Sequence, residues 1–230
     1  MARRTFQVIR RNFVTLLFLS IVTGVPSAIV NWREVHFPAA GLTWAEAAAL
    51  SAYTISAFVL AAAAVPATML DFDGKRASIA ECVSAALRNL FRLILLALLL
   101  SISIIIGFIL LVVPGIFLLV ALSVVVPVRV VEGEGAVGSL DRSMELTKGH
   151  RWAVFGLLIG YAFPAFTLGI IAIALVDIIG ESASNVAVAA QTLADMMNNI
   201  VLSVGTAVIY FELRTIKEGV GPDKLASVFD

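Results

Sequence analysis

The 230-residue chain is 60% hydrophobic and only 14% charged, with a mean hydropathy of +1.02. A soluble domain carries roughly 25% charged residues and roughly 45–50% apolar ones, so the side chains for a water-facing surface are missing and lipid must cover much of the exterior. The one cysteine, Cys82, excludes an intrachain disulfide and any metal site built on cysteine pairs, and the net charge of zero hides a segregation of charge along the chain.

Residues 2–12 read as an amphipathic interfacial helix, with Phe6, Ile9 and Phe13 on one side and Arg3, Gln7, Arg10 and Arg11 on the other. Phe13 to Val30 is an 18-residue run without a charge, and residues 13–30 form the first expected span, kinked by Pro26. A cleaved leader is the competing reading of this N-terminus; the helical spacing of the arginines argues against it. The second span covers 44–70, opened by Thr43-Trp44-Ala45-Glu46 at capping-box spacing, with Trp44 as an interfacial aromatic. Residues 78–90 form a second interfacial helix, apolar through Ile79, Cys82, Val83, Ala86, Leu87 and Leu90 and capped by Ser78 and Glu81.

Between Arg92 and Arg129 lie 36 residues with no charge, which as one helix would extend about 54 Å, far beyond a bilayer core. Pro114-Gly115 interrupts them with turn chemistry, Pro fixing φ and Gly accepting φ > 0. The expectation is a hairpin of spans 91–113 and 116–131, the second so short that it tilts or lets Arg129 snorkel to the headgroups. A third interfacial helix, 138–148, sets Leu140, Met144 and Thr147 against Asp141, Arg142, Glu145 and Lys148, with Gly149 as its C-terminal cap. The fifth span runs over 152–177, kinked by Pro164; the sixth over 192–213; a tail follows over 215–230. The fold class is therefore all-α, a polytopic membrane protein of six transmembrane helices and three short amphipathic ones. Aligning Ser78 with Ser139 sets Phe91 opposite Trp152 and suggests a threefold repeat of one interfacial helix and two spans.

Orientation follows from the basic residues. With the N-terminus in the cytoplasm, 15 of the 16 Lys and Arg fall on the cytoplasmic side and only Arg33 lies outside. The cytoplasmic side then holds 15 basic against 11 acidic residues, and the outer side holds Arg33 against Glu34, Glu46, Asp177, Glu181 and Asp195. The expectation is a multi-pass protein of the bacterial inner membrane with both termini cytoplasmic, in contact with anionic inner-leaflet lipid.

The segment from Pro114 through Trp152 reads PGIFLLVALSVVVPVRVVEGEGAVGSLDRSMELTKGHRW. It resembles the membrane domain found with some glycerophosphoryl diester phosphodiesterases, whose superfamily includes free-standing bacterial inner-membrane proteins. Tyr210-Phe211-Glu212-Leu213-Arg214 resembles that family's closing motif. In the fused proteins the chemistry belongs to a separate, metal-dependent soluble barrel, so the resemblance implies a membrane domain and carries no catalytic residue onto this chain.

The candidate sites are of two kinds. The elbow from Glu132 to Arg151 offers Arg142, Lys148 and Arg151, joined by Arg88 and Arg92 of the preceding elbow, as a docking surface for lipid phosphate or a partner protein. Its plainer reading is an interfacial helix whose Arg142, Glu145 and Lys148 form ordinary i+3 pairs. Within the membrane, Arg129, Asp195, Asn198, Asn199 and Glu212 are the polar candidates. Glu212 is expected to pair with Arg214 or Arg129; the asparagines and Asp195 either bond helices together or line a pathway. Gly156 and Gly160 match GxxxG, which permits close helix approach.

Catalytic patterns are lacking: His36 and His150 fall on opposite sides of the membrane, no carboxylate pair shares a depth, and neither G-x-S-x-G nor a Gly-rich phosphate loop occurs. The basic residues are spread over interfacial segments with no nucleic-acid-binding domain. The expected function is a non-enzymatic, cofactor-free and metal-free scaffold or helper that contacts lipid and docks a partner through its elbow helices. The alternative is a small transporter with a route lined by Asn198, Asn199 and Asp195 and kinked at Pro127 and Pro164. A hydrated mid-membrane cavity lined by those side chains favours transport; a dry bundle favours the scaffold.

Overall fold

The computed structural model describes residues 1–37, 44–72, 74–179 and 184–219. These residues are helical throughout, with no strand among them: α1 (Ala2–Arg11), α2 (Phe13–Thr23), α3 (Val25–His36), α4 (Trp44–Phe72), α5 (Ile79–Leu110), α6 (Val112–Ala121), α7 (Val125–Glu132), α8 (Ala136–Thr147), α9 (Arg151–Ile179) and α10 (Ser184–Glu218). Four of them (α4, α5, α9 and α10), together with α6 and α7 taken as one broken helix, make five elements long and apolar enough to cross a bilayer. A sixth is reached if α1 and α2, which meet at an 88° bend, count as one span.

The breaks fall at different places from those the sequence suggests. The first expected span, 13–30, is divided at Gly24 into α2 and α3, and Pro26 takes a place in the first turn of α3, where a missing N–H leaves no intrahelical bond unmade. A side chain on Gly24 would stand 2.4 Å from the Met196 methyl, so the glycine serves a close approach to α10. The hairpin turn lies at Leu111, in extended backbone, three residues before Pro114. Pro114 is the third residue of α6, again among the orphan amides of a helix start. Gly115 is not among the glycines with positive φ; a Cβ there would meet the Phe108 ring at 2.6 Å, so its smallness lets the two arms of the hairpin touch.

Residues 78–90 and 91–113 do not form two elements. Ser78 and Glu81 cap each other's amides as expected, with Glu81 Oε2 2.7 Å from the Ser78 N–H and Ser78 Oγ 3.2 Å from the Glu81 N–H. The helix they open then runs on for 32 residues to Leu110, because Arg88–Leu93 contains no breaker. The arm expected over 116–131 is itself split at Leu122–Val124 into α6 and α7. The last helix extends to Glu218, beyond the expected end at 213, and takes in the start of the tail. Thr43, half of the other expected capping box, lies outside the described residues.

Helix α10 holds the centre. Ile200, Val204 and Val208 pack with Leu16, Leu60, Ala64 and Cys82 in one cluster, while Ile209, Tyr210 and Leu213 join Leu93, Leu96, Val124, Val128 and Leu146 in another. Four near-zero-exposure residues of α4, Ala62, Ala63, Ala64 and Ala67, bring it close to α5 and α10, its main neighbours. By contrast α9 packs mainly on α10 and leaves most of its length uncovered, with Trp152, Phe163 and Phe166 exposed. Gly156 and Gly160 face open space. Such apolar exteriors are what a bilayer covers.

Candidate functional site

The polar groups that are not simple helix caps gather at the end of the bundle where α1, the C-termini of α4, α7 and α10, and the short helix α8 come together. The key to this end is the break after α6. A helix's last carbonyls have no intrahelical partner, and that of Ala121 is buried. Helix α8 supplies the missing donors: Ser143 Oγ lies 2.8 Å and Thr147 Oγ1 3.2 Å from the Ala121 oxygen. The packed face of α8 is accordingly Ser139, Ser143, Leu146 and Thr147, all buried, whereas Leu140 and Met144 stand half-buried at its flank. This corrects the expected face of Leu140, Met144 and Thr147. Hydroxyls face inward because what they meet is a bare carbonyl. Gly149, with φ of +92°, ends the elbow as a C-terminal glycine should.

From the other face of α8, Arg142 reaches three carboxylates. Its Nε lies 2.9 Å from Glu132 Oε2 on α7, its Nη1 3.0 Å from Glu145 Oε2, and its Nη2 bonds Glu218 on α10. Arg214 Nε donates to Glu218 at 2.9 Å and its Nη1 to the Tyr210 hydroxyl at 2.9 Å, while Tyr210 donates to Glu132 at 2.8 Å. A closed ring of charge-assisted hydrogen bonds therefore ties α7, α8 and α10. Desolvation acts to lower the Arg142 pKa, but hydrogen bonds to Glu145 and Glu132 and their negative charge outweigh it and raise the value above that of an ordinary arginine. The i+3 pair with Glu145 exists, yet it is the most exposed of the three.

Helix α1 is fastened to the same end. Arg4 Nη1 pairs with Glu212 Oε1 at 2.7 Å, Arg11 Nε with Asp71 Oδ1 at 3.2 Å, and the Thr5 hydroxyl shares a 2.9 Å hydrogen bond with that of Tyr161. Glu212 thus pairs with neither Arg214 nor Arg129. Residues two apart on a helix point to opposite sides, and Arg129 is turned elsewhere.

The other basic candidates are placed differently. Arg151 stacks over the Phe117 ring, 4.3 Å from its centroid. Lys148, Arg88 and Arg92 are exposed, and no ion pair forms on them among the described residues. Arg129 is buried; its Nη1 donates to the Gly133 carbonyl at 2.7 Å, and its Nε is buried without a partner. It snorkels along its own helix, towards Gly133 at the α7 C-terminus.

Towards the far end, the remaining candidates separate. Asp195 Oδ2 accepts a 2.8 Å bond from Asn31 Nδ2, which also reaches Thr192 Oγ1 at 3.3 Å, so α3 and α10 are joined there. Asp195 and Asn198 border a hollow of about 390 Å³ against α9, with Gln191 and Phe166. Asn199 turns the other way, into a cavity of about 240 Å³ among Phe58, Leu100, Leu119, Leu158 and Leu202. Ser123, Ser203 and Thr206 are the other polar residues lining that cavity, and two of these hydroxyls are already bonded to their own helices. Among the described residues no group of three His, Cys, Asp or Glu side chains converges as metal ligands do.

Taken together, these features define a multi-pass helical membrane protein with a hydrogen-bonded elbow among its described residues. Residues 76–214 match the family model described as Domain of unknown function (DUF7847), and the chain belongs to that family. The matched stretch begins just before α5 and ends at Arg214, so it contains the whole elbow network except Glu218. No curated protein and no solved structure matches the chain, and nothing in these comparisons ties it to the glycerophosphoryl diester phosphodiesterase membrane domains.

Proposed function

We propose that the chain is a non-enzymatic, lipid-contacting scaffold or helper that docks a partner through its elbow, lying in the bacterial inner membrane with the basic end and both termini in the cytoplasm. The observation that carries this reading is the separation of the polar groups within the bundle. A transporter needs polar groups along one path between its two ends, whereas Asp195 and Asn198 line a hollow against α9 and Asn199 lines a different, largely apolar cavity. The elbow, in contrast, is held rigid from within by Arg142, and it leaves Lys148 and Val137 on the outside. Residues 114–152, which resemble the membrane domains that accompany phosphodiesterases, coincide with this elbow, in keeping with a helper role beside another protein.

The test is reconstitution of the purified chain in vesicles, with solute uptake and bound lipid followed in parallel. The scaffold reading expects lipid to be retained and no gradient-driven uptake. Uptake that disappears in Asp195→Asn, with folding intact, would establish the transporter instead.

A further inference from the structure

The geometry points to a seat for the phosphodiester of a membrane phospholipid, formed by the Arg92 and Arg129 guanidinium groups where α5 meets α7. It rests on the lipid-contacting role proposed above and names the chemistry of one such contact.

Arg129 is only 5% exposed, and no carboxylate lies within ion-pair distance of it among the described residues, although the partly buried Arg11 and Arg142 each have one and Arg151 has an aromatic ring. The Gly133 carbonyl uses Nη1 alone, and Nε is left buried without an acceptor. The charge nearest in kind makes matters worse: Arg92 of α5 acts on Arg129 as a like charge, and the opposing charge of Glu134 reaches it without forming an ion pair. A buried cation with an unsatisfied donor is unfavourable by itself. Arg92, exposed on α5, adds a second positive charge to that of Arg129, and a phosphodiester whose oxygens accept from both would supply charge-assisted bonds to each.

The surroundings identify that anion as a lipid headgroup. Arg88, Arg92, Leu95, Leu99, Ile102 and Ile106 recur at steps of four, three, four, three and four residues, which places them on one face of α5. Leu95, Ile102 and Ile106 are exposed along that face, and Phe91 beside it is 80% exposed. Below the two guanidinium groups there is therefore an uncovered apolar track of the kind an acyl chain lies on, and Arg88 stands one turn above as a further cation.

Full-length protein purified in detergent and loaded with phosphatidylglycerol provides the test, with native mass spectrometry counting retained lipid and inorganic phosphate as competitor. Arg92→Gln and Arg129→Gln should each lower retention about tenfold, the loss of one charge-assisted contact, whereas Lys75→Gln, at an exposed cation outside the elbow, should leave it unchanged. Because Arg129 also holds the end of α7, Arg92→Gln carries the test if Arg129→Gln fails to fold. Equal retention by Arg92→Gln and wild type, an equal loss in Lys75→Gln, or displacement of the lipid by equimolar inorganic phosphate would each overturn the seat. The scaffold reading falls instead on gradient-driven uptake or on the absence of any retained lipid, so the two failures are distinguishable.

Discussion

At Gly205 a single hydrogen atom keeps α10 against α9. A Cβ placed there would stand 2.5 Å from the Tyr161 ring, the ring whose hydroxyl bonds Thr5 of α1. Gly205→Ala should therefore lower stability by about 1–3 kcal/mol, the usual cost of forcing atoms into a packed contact, and a thermal shift in detergent measures it. Gly160→Ala, on a face with nothing within 4 Å, should have little effect. The GxxxG spacing marks Gly156 and Gly160 as packing glycines, yet the packed ones include Gly24, Gly107, Gly115 and Gly205. A spacing rule reads one helix, whereas a close approach depends on the partner helix. For the same reason the pattern offers Glu212 either Arg214 or Arg129, while its actual partner is Arg4, 208 residues away.

Among the elements, α8 runs over Ala136–Thr147 where the pattern suggests 138–148, and Gly149 follows it with positive φ. Its orientation was not legible, because the break in the span above it was not. Nothing in Leu122-Ser123-Val124 signals an interruption, and the carbonyl of Ala121 becomes an open acceptor only when that break exists. Replacing both donors, Ser143→Ala with Thr147→Val, leaves the Ala121 oxygen buried without them and should cost about 1–3 kcal/mol. Hydrogen exchange at α6 and α7 should rise more than at α4 in that variant, since the loss is local to the break. Unchanged exchange there would mean that the hydroxyls do not hold the elbow. The fusion of the second amphipathic helix with its span has the opposite origin: the change from amphipathic to wholly apolar character is real, but without Gly or Pro the backbone has no reason to interrupt its ladder at that point.

For the molecule as a whole, composition and charge distribution carried the main inference, and the all-helical, multi-pass architecture agrees with it. The number of spans depends on the 88° bend at Asn12, a tertiary feature that hydropathy does not register. The elbow network spans three helices, so sequence supplied only the Arg142–Glu145 member of it. Arg142→Leu should destabilise the protein by about 2–3 kcal/mol, between the values for exposed and buried pairs, because Glu132 and Glu218 lose their shared cation. Arg4→Leu should cost less than about 1 kcal/mol, since Arg4 is more than half exposed and its pair is screened. Orientation has its own check: a cysteine at Gly135 should resist membrane-impermeant maleimide in intact cells and react after lysis, with buried Cys82 silent in both. Reaction in intact cells would reverse the proposed topology.

The ring around Arg142 also imposes an order on synthesis. Glu132 and Arg142 emerge with α7 and α8, but Tyr210, Arg214 and Glu218 belong to α10, which is synthesised later. Until that helix is inserted, the elbow is fastened only by Glu132, Glu145 and the two hydroxyls at Ala121. The newborn protein thus stays unlatched until α10 arrives, and α8 is the segment left loosely held during that interval.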